Sequence, residues 1–225
     1  MHSELTSIEA LAVGTAPLSI IDIDWALLLE QRPAVLAHSE VPNYLLLPEV
    51  HQLLDAITHD NLLLMINTLW HTGARISECL ALTAGSFKLD ARQPYVSLQT
   101  LKKRGRPSRR ASKPRLVPIS DDYFLRQLAR YINTHRIRPA QRLFTITRGA
   151  VNKRLDRLRS TLPVDATIRF TPHTFRHSFA VNAILHGTPL PVVQNWLGHA
   201  DIKSTLVYTQ VLSLETYHLM QRIQF

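Results

Sequence analysis

The chain has 225 residues, 45% of them hydrophobic and 19% charged, with one cysteine and a formal net charge of +9. That length is enough for a substantial core. No apolar run approaches the roughly 20 residues of a membrane-spanning helix, and the start MHSELTS lacks the basic and then apolar order of a signal peptide, so a cytoplasmic protein without a membrane span is expected.

Charge is unevenly spread. Residues 1–60 hold nine carboxylates and one cation, Arg32, a net of −8; of 26 cations and 17 carboxylates in all, residues 61–225 therefore hold 25 and 8, a net of +17. A surplus of that size attracts phosphates and makes binding salt-dependent, which points to nucleic acid, although an anionic membrane surface would also attract it. The single Cys79 closes no intramolecular disulfide and completes no structural zinc site, as suits a reducing compartment.

Along the chain, residues 1–45 are weakly patterned, with prolines at 17, 33 and 42, and read as a short acidic leader with a short helix near DWALLLE. From LPEVHQLLDAI onward, Val50, Leu53, Leu54 and Ile57 fall at helical spacing. DNLLLMINTLWHTG reads as a buried helix stopped at Gly73, and ARISECLAL as another. PYVSLQ is a short strand and RLVPI its return strand. Between them lies LKKRGRPSRRASK, with seven Lys or Arg and no carboxylate, longer than a tight hairpin turn. SDDYFLRQLARYINTH, started by a Ser cap, is amphipathic through Phe124, Leu125, Leu128, Tyr131 and Ile132. GAVNKRLDRLRSTL sets Val151, Leu155, Leu158 and Leu162 against a basic side of Lys153, Arg154, Arg157 and Arg159. TPHTFRHSFAVNAILHG opens with Pro and closes with Gly, as a helix of about fourteen residues does. Two short helices, PLPVVQNWLG and IKSTLVYTQV, and an amphipathic end, LETYHLMQRIQF, follow. The fold class expected is α+β, mainly α-helical, with a small antiparallel β-sheet or hairpin.

In PHTFRHSFA, His173, Arg176 and His177 project from nearly one helix face. A His pair at this spacing is a zinc-ligand geometry, but no Glu lies between the two and a permanent Arg charge opposes a divalent cation. These residues also suit a basic surface helix, or a site in which Arg176 clamps a phosphate while His173 moves a proton. Downstream, LGHADIKSTLVYTQV sets His199 nine residues before Tyr208. Plainer roles stay open: Arg75 pairing with Glu78 one turn on, His199 as a helix cap, Tyr208 as a core tyrosine. Tyr217 is a rival nucleophile nine residues later. Cys79 lies on an apolar face with Ile76 and Leu80 and is not expected to react.

TGARISECLAL, PHTFRHSFA and LGHADIKSTLVYTQV, in this order, resemble the catalytic domain of the tyrosine recombinases, the phage integrase family of DNA breaking and rejoining enzymes. The resemblance covers residues 47 to about 222, with the catalytic domain set at 46–225 and the leader at 1–45. It implies Arg75 and Arg176 as an arginine pair, His173 and His199 as accompanying histidines, and Tyr208 as nucleophile, with His177 as structural support. A hairpin lysine completes the set: Lys102, with Lys103 as the alternative because register is open. Lys103, Arg104, Arg106, Arg109, Arg110 and Lys113 are then expected to touch DNA phosphates, as is the basic side of Lys153, Arg154 and Arg157. RGRP also resembles an AT-hook core for the minor groove.

The resemblance implies no cofactor and no metal. The partners implied are double-stranded DNA with paired inverted-repeat sites, on a phage, plasmid or other mobile element, and further copies of the chain, as a tetramer on DNA. The leader is shorter and more acidic than the separate DNA-binding domain usual in the family, and in this the chain resembles small recombinases that invert fimbrial promoter segments. The segment after Tyr208 is expected to pack on an adjacent protomer. A non-cutting regulatory relative and a nick-and-reseal enzyme are the rival functions.

Overall fold

The computed structural model describes residues 23–100, 113–160, 168–215, 220 and 223. It is mainly helical with one small antiparallel sheet. Helix α1 (Trp25–Ala37) starts where the Asp24 carboxylate accepts the Leu27 amide. It continues through Pro33, beyond the short helix the sequence suggests, because Leu28, Arg32 and Val35 are buried along one face and packing outweighs the lost backbone bond. Arg32 Nη1 meets Glu49 Oε2 at 2.5 Å, and the same carboxylate oxygen accepts the Leu46 amide that opens α2 (Leu47–Asp55). A buried ion pair thus ties α1 to α2.

Helix α3 (Asp60–Thr72) buries nine of its thirteen residues and stops at Gly73, whose φ of 58° closes the last turn. Arg75 precedes α4 (Ile76–Ala81). A 3-10 turn (Ala84–Ser86) leads to β1 (Phe87–Lys88), β2 (Tyr95–Leu98) and β3 (Arg115–Pro118), in sheet order β1-β2-β3. The central Val96 pairs with Phe87 on one side and Val117 on the other. Leu98 opposite Arg115 fixes the register of the β2–β3 hairpin and places the basic stretch in its connection, as expected. The short strand β1 was not foreseen; two residues carry too little alternation to read.

Helix α5 (Asp122–Thr134) is capped by Asp121, whose carboxylate accepts the Phe124 amide at 2.5 Å, and not by Ser120 as the sequence suggested. Both residues are cap formers, and Asp adds a negative charge to the positive end of the helix. Helix α6 (Arg148–Arg159) starts at Thr147 and turns Val151 and Leu155 inward. Helix α7 (Pro172–Leu185) has the length expected, is capped by Thr171 and buries ten of its fourteen residues. Then come α8 (Leu190–Leu197), ended by Gly198, α9 (Lys203–Leu206), a 3-10 turn (Val207–Val211) and α10 (Leu212–Glu215).

Two hydrophobic cores meet at α7. Phe175 joins a larger core built by α2 to α6 and the sheet. Ala180, Val181, Ile184 and Leu185 join a second one with Ile23, Leu28, Val41, Tyr44, Val193, Leu197, Tyr208 and Val211. Residues from α7 onward and the α1 region therefore share one apolar interior. The junction of the two cores is where the side chains singled out by the sequence converge.

Candidate active site

Each arginine of the pair is held by the carbonyl end of a helix. Arg176, 3% exposed, donates from Nη1 to Gly73 O at 2.6 Å and from Nη2 to Leu197 O at 2.7 Å. These carbonyls close α3 and α8, whose C-terminal ends carry partial negative charge and favour a cation. Gly73 and Gly198, at φ 58° and 65°, make both turns in the left-handed region where a Cβ is disfavoured. Arg75 donates from Nη1 to Glu78 Oε1 at 3.0 Å and from Nη2 to Gly198 O at 3.4 Å. It pairs with Glu78, as the plain reading held, and also reaches toward the loop that carries His199.

Glu78 is shared. Arg115, at the start of β3, donates from Nη1 to Oε1 at 3.0 Å and from Nη2 to Oε2 at 2.5 Å, a bidentate fork, while its Nε donates to Trp196 O at 2.7 Å. Burial pushes the Glu78 carboxyl up, but Arg115 and then Arg75 outweigh it and hold the group below its ordinary range. Three guanidiniums against one carboxylate leave a charge of +2 at this junction.

Tyr208 is placed by the 3-10 turn that follows α9 and is 2% exposed. Its hydroxyl lies 2.8 Å from His177 Nδ1, and its ring lies 5.9 Å from the His177 ring and 6.5 Å from the His199 ring. His199 Nδ1 is engaged by Thr205 Oγ1 at 2.9 Å, which orients the imidazole. His173 is exposed on the first turn of α7, its ring 6.4 Å from that of His177. The row His173, His177, Tyr208, His199 thus lies beside Arg75 and Arg176.

The electrostatics follow from burial and the arginines. Burial lowers His177 to about 4, helped by His173 and Arg176, and lowers His199 to about 4, helped by Arg176 and Arg75. His173 is lowered by partial burial and by Arg148, Arg176 and Arg75. The neutral imidazole is favoured at all three positions. Tyr208 is pushed up by burial, while Arg176 and Arg75 pull the other way. Arg176 itself is lowered to about 10 by burial and by Arg75, and stays charged at neutral pH.

The structure brings Arg75, His173, Arg176, His199 and Tyr208 together. Lys102, Lys103, Arg104, Arg106, Arg109 and Arg110 lie outside the described residues, as do Leu162 and Tyr217. Lys113 is exposed at the return of the hairpin, and Lys153 and Arg157 are exposed on α6, with Arg154 half-buried. Sequence reasoning missed Arg115 and gave His177 only a supporting place. The signal for Arg115 was the alternation of RLVPI, in which Arg115, Val117 and Ile119 share one face and all three are buried.

A mainly helical domain with a three-stranded sheet, two guanidiniums at helix ends and a tyrosine among histidines is the architecture expected of a tyrosine recombinase catalytic domain. The phage integrase family profile matches residues 43–215, and the chain belongs to that family. A protein named Resolvase from Escherichia coli is 36% identical over 91% of this chain and 87% of its own length. Another Resolvase, from Escherichia coli strain K12, is 35% identical over 100% of this chain and 92% of its own. Among solved structures, the XerA recombinase matches with a TM-score of 0.66 at 20% identity, over 84% of this chain and 69% of that one. The pre-cleavage complex of the XerH site-specific recombinase with its difH substrate matches with a TM-score of 0.64 at 21% identity, over 82% of this chain and 55% of that one.

Proposed function

We propose that the chain is a site-specific DNA recombinase that cleaves and rejoins duplex DNA through a 3′-phosphotyrosine link at Tyr208. One observation carries this reading: the Tyr208 hydroxyl lies 2.8 Å from His177 Nδ1, with its ring 6.5 Å from that of His199, within the field of Arg75 and Arg176. Tyrosine has an ordinary pKa near 10, so about 0.1% is phenolate at pH 7, a deficit of roughly 4 kcal/mol that the site must offset.

As Tyr208 attacks phosphorus, charge grows on the two non-bridging oxygens. Arg75 and Arg176 are anchored through part of their guanidiniums and offer the remaining N–H groups to those oxygens. With Nδ1 held by Thr205, His199 has Nε2 for a phosphate oxygen, and the exposed His173 assists proton movement from the solvent side. The leaving 5′ oxygen takes its proton from the hairpin lysine, Lys102 or Lys103. The products are a 3′-phosphotyrosine and a 5′-hydroxyl. Attack by the 5′-hydroxyl of another strand reverses the chemistry and exchanges the strands. The phosphotyrosine conserves the bond energy, so the scheme runs without a nucleotide, and the arginines supply the charge a metal would otherwise bring.

The family membership, relatives named as resolvases and site-specific recombinases, and fold neighbours solved on DNA support duplex DNA as the partner. Paired inverted-repeat sites held by a tetramer would align two such centres for exchange. The test is a nicked duplex carrying the site, from which the short 5′-hydroxyl fragment diffuses away after cleavage. Wild type is expected to accumulate covalent protein–DNA adduct and Tyr208→Phe none. Adduct formation undiminished in Tyr208→Phe would refute the assignment.

A further inference from the structure

His177 has no part in the chemistry set out for Arg75, His173, Arg176 and His199, yet among the described residues it is the side chain that hydrogen-bonds the Tyr208 hydroxyl, Nδ1 to Oη 2.8 Å. It follows Arg176 directly on α7, so the helix that anchors the phosphate-binding guanidinium to the Gly73 and Leu197 carbonyls also sets the imidazole. Tyr208 is 2% exposed, which denies bulk water ready access to the phenol. The proton lost on attack must therefore pass to a protein group or to the substrate. His173, at the exposed start of the helix, is one turn away with its ring 6.4 Å from that of His177, toward the solvent side.

Resting on the reading of Tyr208 as nucleophile, we propose that His177 Nδ1 is the base that takes the phenolic proton during cleavage and returns it during rejoining. In the forward step the Oη–P bond forms, the P–O5′ bond breaks, the phenolic proton moves to Nδ1, and the leaving oxygen receives a proton from the hairpin lysine. In the reverse step the 5′-hydroxyl attacks phosphorus, its proton goes back to the lysine amine, and the departing Tyr208 oxygen recovers the proton from His177. The role needs the tautomer with hydrogen on Nε2 and a lone pair on Nδ1. A neutral ring is what this environment provides, since burial, His173 and Arg176 all oppose protonation. A phosphodiester anion seated on Arg176 offsets part of the charge that depresses the imidazole, so the base strengthens when substrate is in place.

Single-turnover adduct formation on the nicked duplex, with the full chain, tests the assignment. His177→Ala should slow cleavage by about 100-fold or more, with DNA affinity and melting temperature close to wild type. His177→Asn keeps an amide to hold the Tyr208 hydroxyl but cannot take up its proton near neutral pH, and should be about as slow. Free imidazole should accelerate His177→Ala at least about tenfold and leave wild type unchanged. Cleavage by His177→Asn within about threefold of wild type, or no acceleration of His177→Ala by imidazole, would overturn the base assignment while leaving Tyr208 as nucleophile. A wild-type protein that forms no adduct while binding the site would instead overturn the recombinase reading itself.

Discussion

Glu78 serves two arginines at once, and this shapes what single substitutions do. Arg115→Met would leave a buried carboxylate with only Arg75 beside it, and losing one partner of a buried pair costs about 3–5 kcal/mol. Urea unfolding should show that loss, and cleavage should fall with it because Arg75 is then drawn onto Glu78. If Arg75 and Arg176 clamp the phosphate as proposed, Arg75→Ala and Arg176→Ala should each slow cleavage by about 3 to 4 kcal/mol in barrier, several-hundred-fold in single-turnover rate. The half-buried His177 and His199 predict a pH effect on stability. His177 and His199 are lowered from 6.5 to about 4 in the folded chain, so the unfolded chain takes up protons first as pH falls. The stability tied to their neutral form is fully present above pH 6.5 and is lost progressively toward pH 4; by pH 5 the loss is at most about 2 kcal/mol for His177 and smaller for the more solvent-screened His199. Melting temperatures at pH 7 and pH 5 should differ less in His177→Gln and His199→Gln than in wild type. Arg75, His173, Arg176, His199 and Tyr208 are grouped by the resemblance of three motifs, in their order, to the tyrosine recombinases; helical spacing alone joins only His173, Arg176 and His177. The bond from His177 to Tyr208 was not legible in the sequence, since it joins residues 31 apart that meet only when the 3-10 turn packs on α7. Arg115 was hidden by chemistry of its own kind, one more cation after a basic run.

At the scale of elements, the site depends on where helices stop. The C-terminal turns of α3 and α8 give carbonyls to Arg176 and Arg75, and both turns need a glycine. A Cβ on Gly198 would lie 3.1–3.3 Å from the Arg115 side chain, and a non-glycine residue in the left-handed region costs about 1–2 kcal/mol. Gly198→Ala should therefore lower stability by at least that amount and also weaken cleavage, because it disturbs Arg115 and the carbonyl that steadies Arg75. Thermal unfolding and adduct rate, measured together, check both effects. These stops were readable as Gly at the end of a periodic run. Continuation of α1 through Pro33 was not, because a local breaker is overridden there by burial of Leu28, Arg32 and Val35 and by the Arg32–Glu49 pair. Nor was the 3-10 geometry at Tyr208, which no residue preference marks.

Over the whole molecule, positive charge and apolar packing divide the labour. The sheet, α6 and the arginine cluster carry cations, while residues 1–60 are acidic. The proposed DNA-facing side of α6 makes a quantitative prediction. Replacing Lys153, Arg154 and Arg157 by Ala should lower affinity for specific and nonspecific DNA alike. If all three meet phosphates, the slope of log affinity against log salt should become shallower by about 2 to 3. An unchanged slope would place DNA elsewhere. Tyr208, the proposed nucleophile, belongs to the same core as Leu28 of α1, Val41 and Tyr44, so it is packed by segments distant from it in sequence. The fold class was legible from periodicity and the motif order, whereas this shared core was not, since the α1 segment has little amphipathic pattern of its own.

Everything proposed for the site turns on Tyr208 forming the covalent bond to DNA. Trapped adduct from the nicked duplex, digested with protease and nuclease and sequenced by mass spectrometry, tests it at the atom concerned. A nucleotide 3′-phosphate on Tyr208 is expected; the same modification on Tyr217, or on no tyrosine, would rule Tyr208 out as the nucleophile.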